Sequence, residues 1–115
     1  MIIAGMGIFT GCSDSPRDVA VKWGKALASG DVNTANKYST EKTKPLNGLI
    51  AGMMSDEKIK TNITSSIKKW ENGKEEIQGD SAVVFEKDPK DESSITLKKV
   101  DGKWMVDAQK KNNNK

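Results

Sequence analysis

The chain has 115 residues, 35% hydrophobic and 30% charged, which suits one globular domain with a modest core and is too short for two. Nineteen Lys and Arg against sixteen Asp and Glu leave +3 spread along the sequence, which excludes the concentrated basic face with interleaved aromatics that a nucleic acid partner would need. With no histidine and a single cysteine, the commonest general base and metal ligand is missing, and no internal disulfide can form.

Residues 1–10 carry no charged side chain and lead into Gly11-Cys12. The run is too short to span a bilayer, which takes about 20 apolar residues in a helix. An apolar stretch that ends in small residues is how a secretory leader finishes before its cleavage site. Phe9-Thr10-Gly11-Cys12 resembles the cleavage motif of bacterial lipoprotein signal peptides, with Phe9 where leucine is usual. The resemblance implies removal of residues 1–11 and a mature protein that starts at Cys12. Its thiol would carry a diacylglycerol and its amine a further acyl chain, enough for stable membrane anchoring. The competing reading is a buried structural thiol.

Residues 12–14 then form a tether to a domain spanning 15–108. Ser15-Pro16-Arg17-Asp18 reads as a helix start: Ser15 caps, Pro16 suits the first helical position, and Asp18 favours the positive end of the dipole. Val19, Trp23, Ala26 and Leu27 fall on one helical face. Gly30 ends that helix and Asp31 caps a short second one bearing Val32, Ala35 and Tyr38. Pro45 opens a third stripe of Leu46, Leu49, Ile50, Met53 and Met54, interrupted by Gly48 and Gly52. Ser55, with Asp56 and Glu57, marks a further start, continued by Ile59, Ile63 and Ile67.

From about Lys68 the punctuation changes. Gly79-Asp80, Asp88-Pro89 and Asp101-Gly102 are turn signals that separate runs at 68–78, 81–87, 94–100 and 103–108, predicted as four antiparallel strands. Trp70 also fits the preceding helical stripe, with Asn72-Gly73 as an alternative helix end. Residues 109–115 are a polar tail. Helices followed by a meander predict an α+β domain in which a curled sheet buries one face against the helices. The expected core is Trp23, Leu27, Leu46, Leu49, Trp70, Val84, Ile95, Leu97 and Trp104, with a cavity left between sheet and helices.

This order of elements resembles the DUF4878-type small lipoproteins of the NTF2-like (cystatin-like) fold group. Ala28-Ser29-Gly30-Asp31 matches the break between the first two helices in that family. Ile77-Gln78-Gly79-Asp80-Ser81-Ala82-Val83-Val84 matches its first strand pair. Residues 97–107 match its closing hairpin. The resemblance implies a strand rather than a helix at 68–76, and it supplies no catalytic residues.

Ser55-to-Lys58 and Ser65-to-Lys68 repeat the serine–lysine spacing of penicillin-binding transpeptidases, but Lys42-Thr43-Lys44 has lysine where the required Lys-Thr-Gly element has glycine. Enzymes on the NTF2-like fold pair a carboxylate or histidine with tyrosine donors, and Tyr38 is the only tyrosine. Asp88, Asp91 and Glu92 share a loop without the alternating ligands of a calcium site. No catalytic residue, metal or cofactor is therefore expected. The expected site residues are Cys12 for lipidation and Trp23, Leu27, Tyr38, Leu49, Met53 and Trp104 as the lining of a pocket. The expected function is a lipid-anchored binding or interaction module of the bacterial envelope. Its partners would be the membrane and either an apolar small molecule or an envelope protein such as a transpeptidase, with a second copy of the chain as a further candidate. A small enzyme with a cone pocket is the alternative.

Overall fold

Four helices precede four strands in the computed structural model, which describes residues 14–108. The expected leader at 1–11, the expected lipidation residue Cys12 and the expected polar tail at 109–115 lie outside the described residues. Helix α1 (Pro16–Ala28) begins as its sequence demands, with Ser15 Oγ accepting the Asp18 N–H at 3.2 Å and Pro16 in the first turn. It ends with Gly30 at φ +78°, where the Gly30 N–H reaches the Leu27 carbonyl and the Asp31 N–H reaches that of Ala26 at 2.8 Å. This is the six-to-one and five-to-two closure of a Schellman motif, which needs a left-handed residue at the turn. Asp31 then caps α2 (Val32–Lys37) by accepting from the Thr34 N–H and, at 2.7 Å, from Thr34 Oγ1. One Gly-Asp pair thus stops one helix and starts the next, folding α2 back onto α1.

Helices α3 (Lys44–Gly52) and α4 (Glu57–Glu71) follow. The cap of α4 is Asp56, whose Oδ1 accepts the Lys58 N–H at 2.9 Å, rather than the expected Ser55. Residues 68–71, expected as strand, continue α4 because Ile63, Ile67 and Trp70 keep the helical spacing that faces α1, and Asn72 caps the end. The strands are β1 (Lys74–Gln78), β2 (Ser81–Phe85), β3 (Ile95–Val100) and β4 (Lys103–Val106), antiparallel neighbours in chain order. The Asp101-Gly102 turn has φ of 52° and 80°, the pair of positive values that a two-residue I′ hairpin requires. No helix among the described residues is long and apolar enough to cross a membrane.

Register sets the core. Ala82 lies opposite Leu97 and Leu97 opposite Val106, while Val84 lies opposite Ile95, so these side chains share one face. Against that face α1 places Val19, Ala20, Trp23 and Leu27, and α4 adds Ile67 and Trp70. The Trp23 and Trp70 rings pack tilted at 6.1 Å between centroids, within the range favoured by aromatic pairs. The far face of the sheet exposes Ser81, Thr96 and Lys98, Lys103 is exposed at the start of the edge strand β4, and all of β1 is exposed, including Ile77.

Two expectations about packing are corrected. Leu46 is half-buried and Leu49 is 58% exposed, because the buried face of α3 is carried by Asn47 and supported by Thr43, not by leucine. The space expected as a cavity between helices and sheet is filled by Leu27, Val84, Leu97 and Val106, all fully buried, together with Trp23.

Candidate functional site

The segment that joins α2 to α3 runs beside β4. Val106 N–H donates to the Tyr38 carbonyl at 2.6 Å and Thr40 N–H to the Val106 carbonyl at 3.0 Å, so Ser39 forms a parallel bridge with Val106. This local pairing covers part of the edge of β4. It also sets Tyr38 beside residues 103–105. Between them and the first turn of α1 lies an open groove of about 300 Å³, lined by Val19, Tyr38, Trp104 and Met105, with Asp14, Lys37 and Lys103 at its margin.

Cations surround the two aromatic rings. Lys99 stands opposite Trp104 in the β3–β4 ladder and holds its Nζ 5.2 Å from the indole centroid, inside cation–π range. Lys22, on α1, lies 6.0 Å from the Tyr38 centroid and pairs with Asp14 at 2.9 Å. The hydrogen bond that Lys22 donates to Asp14 holds its ammonium above the usual lysine value, opposed by desolvation and aided by the Asp14 charge. Among the described residues, Lys37, Lys99 and Lys103 form no ion pair. The groove is thus an aromatic floor with a cationic margin, and the chain enters it at Asp14.

Behind the groove lies a buried polar network. Asn47, fully buried, accepts from Trp23 Nε1 at 2.8 Å and donates to Asn36 Oδ1 and Ser39 Oγ, each at 2.9 Å; Ser39 Oγ in turn donates to the Ala35 carbonyl. Beside it, Asp107 Oδ1 accepts from Thr40 Oγ1 at 2.9 Å. That commits the only Thr40 hydroxyl proton, so the single Thr43 hydroxyl proton is shared between Thr40 Oγ1 at 2.8 Å and the Ala108 carbonyl at 3.3 Å. Asp107 is the one buried carboxylate among the described residues, and its Oδ1 also lies 3.6 Å from Lys42 Nζ. No buried side-chain polar atom among the described residues lacks a partner. A network so completely satisfied fixes the loop and offers no group to a ligand.

The expected pocket residues separate into three sets. Tyr38 and Trp104 come together at the groove. Trp23 and Leu27 are core, at 4% and 0% exposure, and face no open space. Leu49 and Met53 stand exposed on and after α3, away from the groove lining. Thr43 of the Lys-Thr-Lys element is interior, while Ser65 and Lys68 lie on the outer face of α4. Asp88 accepts from the Lys90 N–H at 2.9 Å, a local turn bond that occupies one oxygen. Lys37, Lys99 and Lys103 were missed as site residues; the signal was present in the Lys99–Trp104 alignment across the Asp101-Gly102 turn.

Compared with models of known protein families, with curated proteins and with solved structures, the chain matches none.

Proposed function

We propose that this chain is a lipid-anchored protein of the bacterial envelope whose α+β domain, a relative of the DUF4878-type lipoproteins with the NTF2-like fold, acts as a non-catalytic interaction module. The anchor reading is supported by the uncharged residues 1–10 followed by the lone cysteine in Phe9-Thr10-Gly11-Cys12. Kinship with the NTF2-like group is supported by helices that precede an open four-stranded meander.

The observation that favours docking over capture of an apolar small molecule is the filled interior. Ligand pockets of this kind enclose most of their occupant within an apolar cleft. Here the place for one is taken by Trp23, Leu27, Val84, Leu97 and Val106. Binding chemistry is left to the outside, where Tyr38 and the lysines meet over the buried Trp104. Catalysis is not supported, because the buried Asp107 is engaged by Thr40 and Lys42 rather than by Tyr38.

Mass spectrometry of the product of the full gene, extracted from bacterial membranes in detergent, tests both parts. After denaturation the expected species is a chain beginning at Cys12 with acyl groups attached. Under native conditions the same covalent mass is expected with no further adduct. An unmodified Cys12 contradicts the anchor, and a stoichiometric apolar adduct released by denaturation contradicts docking.

A further inference from the structure

We propose that the groove face bearing Tyr38, Trp104 and Met105 rests on an anionic membrane surface, with Lys37, Lys99 and Lys103 against lipid phosphates. The inference deepens the anchor reading above and rests on it. Its first support is covalent reach. Only Ser13 separates Cys12 from Asp14, so their Cα atoms lie within about 7 Å of each other in any conformation. Asp14 is at the margin of the groove. A chain held at the bilayer by Cys12 therefore keeps the margin of this groove close to the headgroups.

The second support is chemistry. Asp14 is already paired with Lys22, so it does not oppose approach to negative lipid as a free carboxylate would. Lys37, Lys99 and Lys103 are exposed and unpaired among the described residues, and a surface lysine gains about a fivefold preference for an anionic bilayer. Tyr38 and Met105 are half-buried, so part of each faces outward, and Trp104 lines the same groove. A tyrosine beside lysines, over a Trp104 that is itself only 8% exposed, is a composition that settles at the headgroup level. Glu41, four positions from Lys37, is paired with Lys44; Asp107, four from Lys103, is buried against Thr40 and Lys42; and the exposed Asp18 and Asp101 form no ion pair with the three lysines.

The lone thiol allows a test that does not depend on biological lipidation. The full-length chain is coupled through Cys12 to a maleimide lipid in phosphatidylcholine vesicles prepared with or without phosphatidylglycerol, and lysine acetylation rates are read by mass spectrometry. With phosphatidylglycerol, Lys37, Lys99 and Lys103 are expected to react about fivefold more slowly, while Lys58, Lys60 and Lys68 of α4 are unchanged. High salt should abolish the difference. The Lys37→Glu/Lys103→Glu double variant, altered only at exposed positions, should return Lys99 to its rate on neutral vesicles. Equal rates on both vesicle types, or equal protection of the α4 lysines, would overturn the proposal. So would the same protection of the uncoupled chain by soluble glycerol phosphate, which would assign the face to a free anion. Failure of lipidation in the cell would leave these rates unchanged, so the two ideas fail separately.

Discussion

Asn47 is a polar side chain at the centre of a helix whose sequence reads as apolar, and its three hydrogen bonds tie α3 to α1, to α2 and to the loop after α2. Replacing it by leucine would fill similar volume but strand the Trp23 indole N–H in the interior, at a loss of about 1–3 kcal/mol. Urea unfolding followed by tryptophan fluorescence should show that loss for Asn47→Leu; an unchanged or higher stability would mean that the network is dispensable. Asp31 makes a second case. Its carboxyl is held below the ordinary value of 3.8 by the hydrogen bonds from Thr34 Oγ1 and the Thr34 N–H. The stability it contributes is therefore present above that value and lost as pH falls through the depressed folded value. Asp31→Asn keeps a competent cap but cannot titrate. Wild type should lose more stability than the variant between about pH 5 and pH 2, whereas parallel pH curves would remove the carboxylate from the account of that cap. Asp31 was legible because capping is local; Asn47 was not, because its donor Trp23 lies 24 residues away and no spacing rule connects them.

Among elements, the junction of α1 and α4 turns on one glycine. A Cβ at Gly24 would stand 2.7 Å from Ile67 Cγ1 and 2.9 Å from Trp70 Cζ3, both interior atoms. At Gly48, on the exposed side of α3, a Cβ would meet nothing within 4 Å. Both glycines are helical, so Ala gains about 1 kcal/mol of helix propensity at either site. At Gly24 the overpacking of about 1–3 kcal/mol opposes that gain. Gly24→Ala is expected to lower the thermal midpoint and Gly48→Ala to raise it; shifts of the same sign would show that close approach does not govern the α1–α4 contact. The sequence made the glycines of α3 conspicuous, since Gly48 and Gly52 repeat a helix-packing spacing, yet neither is approached by a neighbour. Most element boundaries were readable, because Ser15-Pro16, Gly30-Asp31, Gly79-Asp80 and Asp101-Gly102 are local turn and cap chemistry. The end of α4 was not. Residues 68–71 are charged or aromatic and satisfy either period, and only the pairing of Trp70 with Trp23, 47 positions earlier, decides between them.

On the scale of the whole molecule, the division of labour is between a filled interior and an exterior face beside the N-terminal entry. The inward rows of the sheet were legible from alternation, and so was the set of three buried tryptophans. That Leu27, Val84, Leu97 and Val106 fill the space between helices and sheet was not, because side-chain volume is distributed by tertiary packing and not by periodicity. The groove was only half legible: Tyr38 and Trp104 were expected together, but their lysine margin depends on Tyr38 pairing alongside β4.

The claim on which the functional reading stands is that Cys12 carries lipid and keeps the domain at a membrane. Expression of the full gene in a bacterium with radiolabelled palmitate, for wild type and Cys12→Ala, measures it directly. Label on the wild-type chain in the membrane fraction, and none on the variant, is the predicted result. Equal labelling of the two, or no label on either, would contradict it.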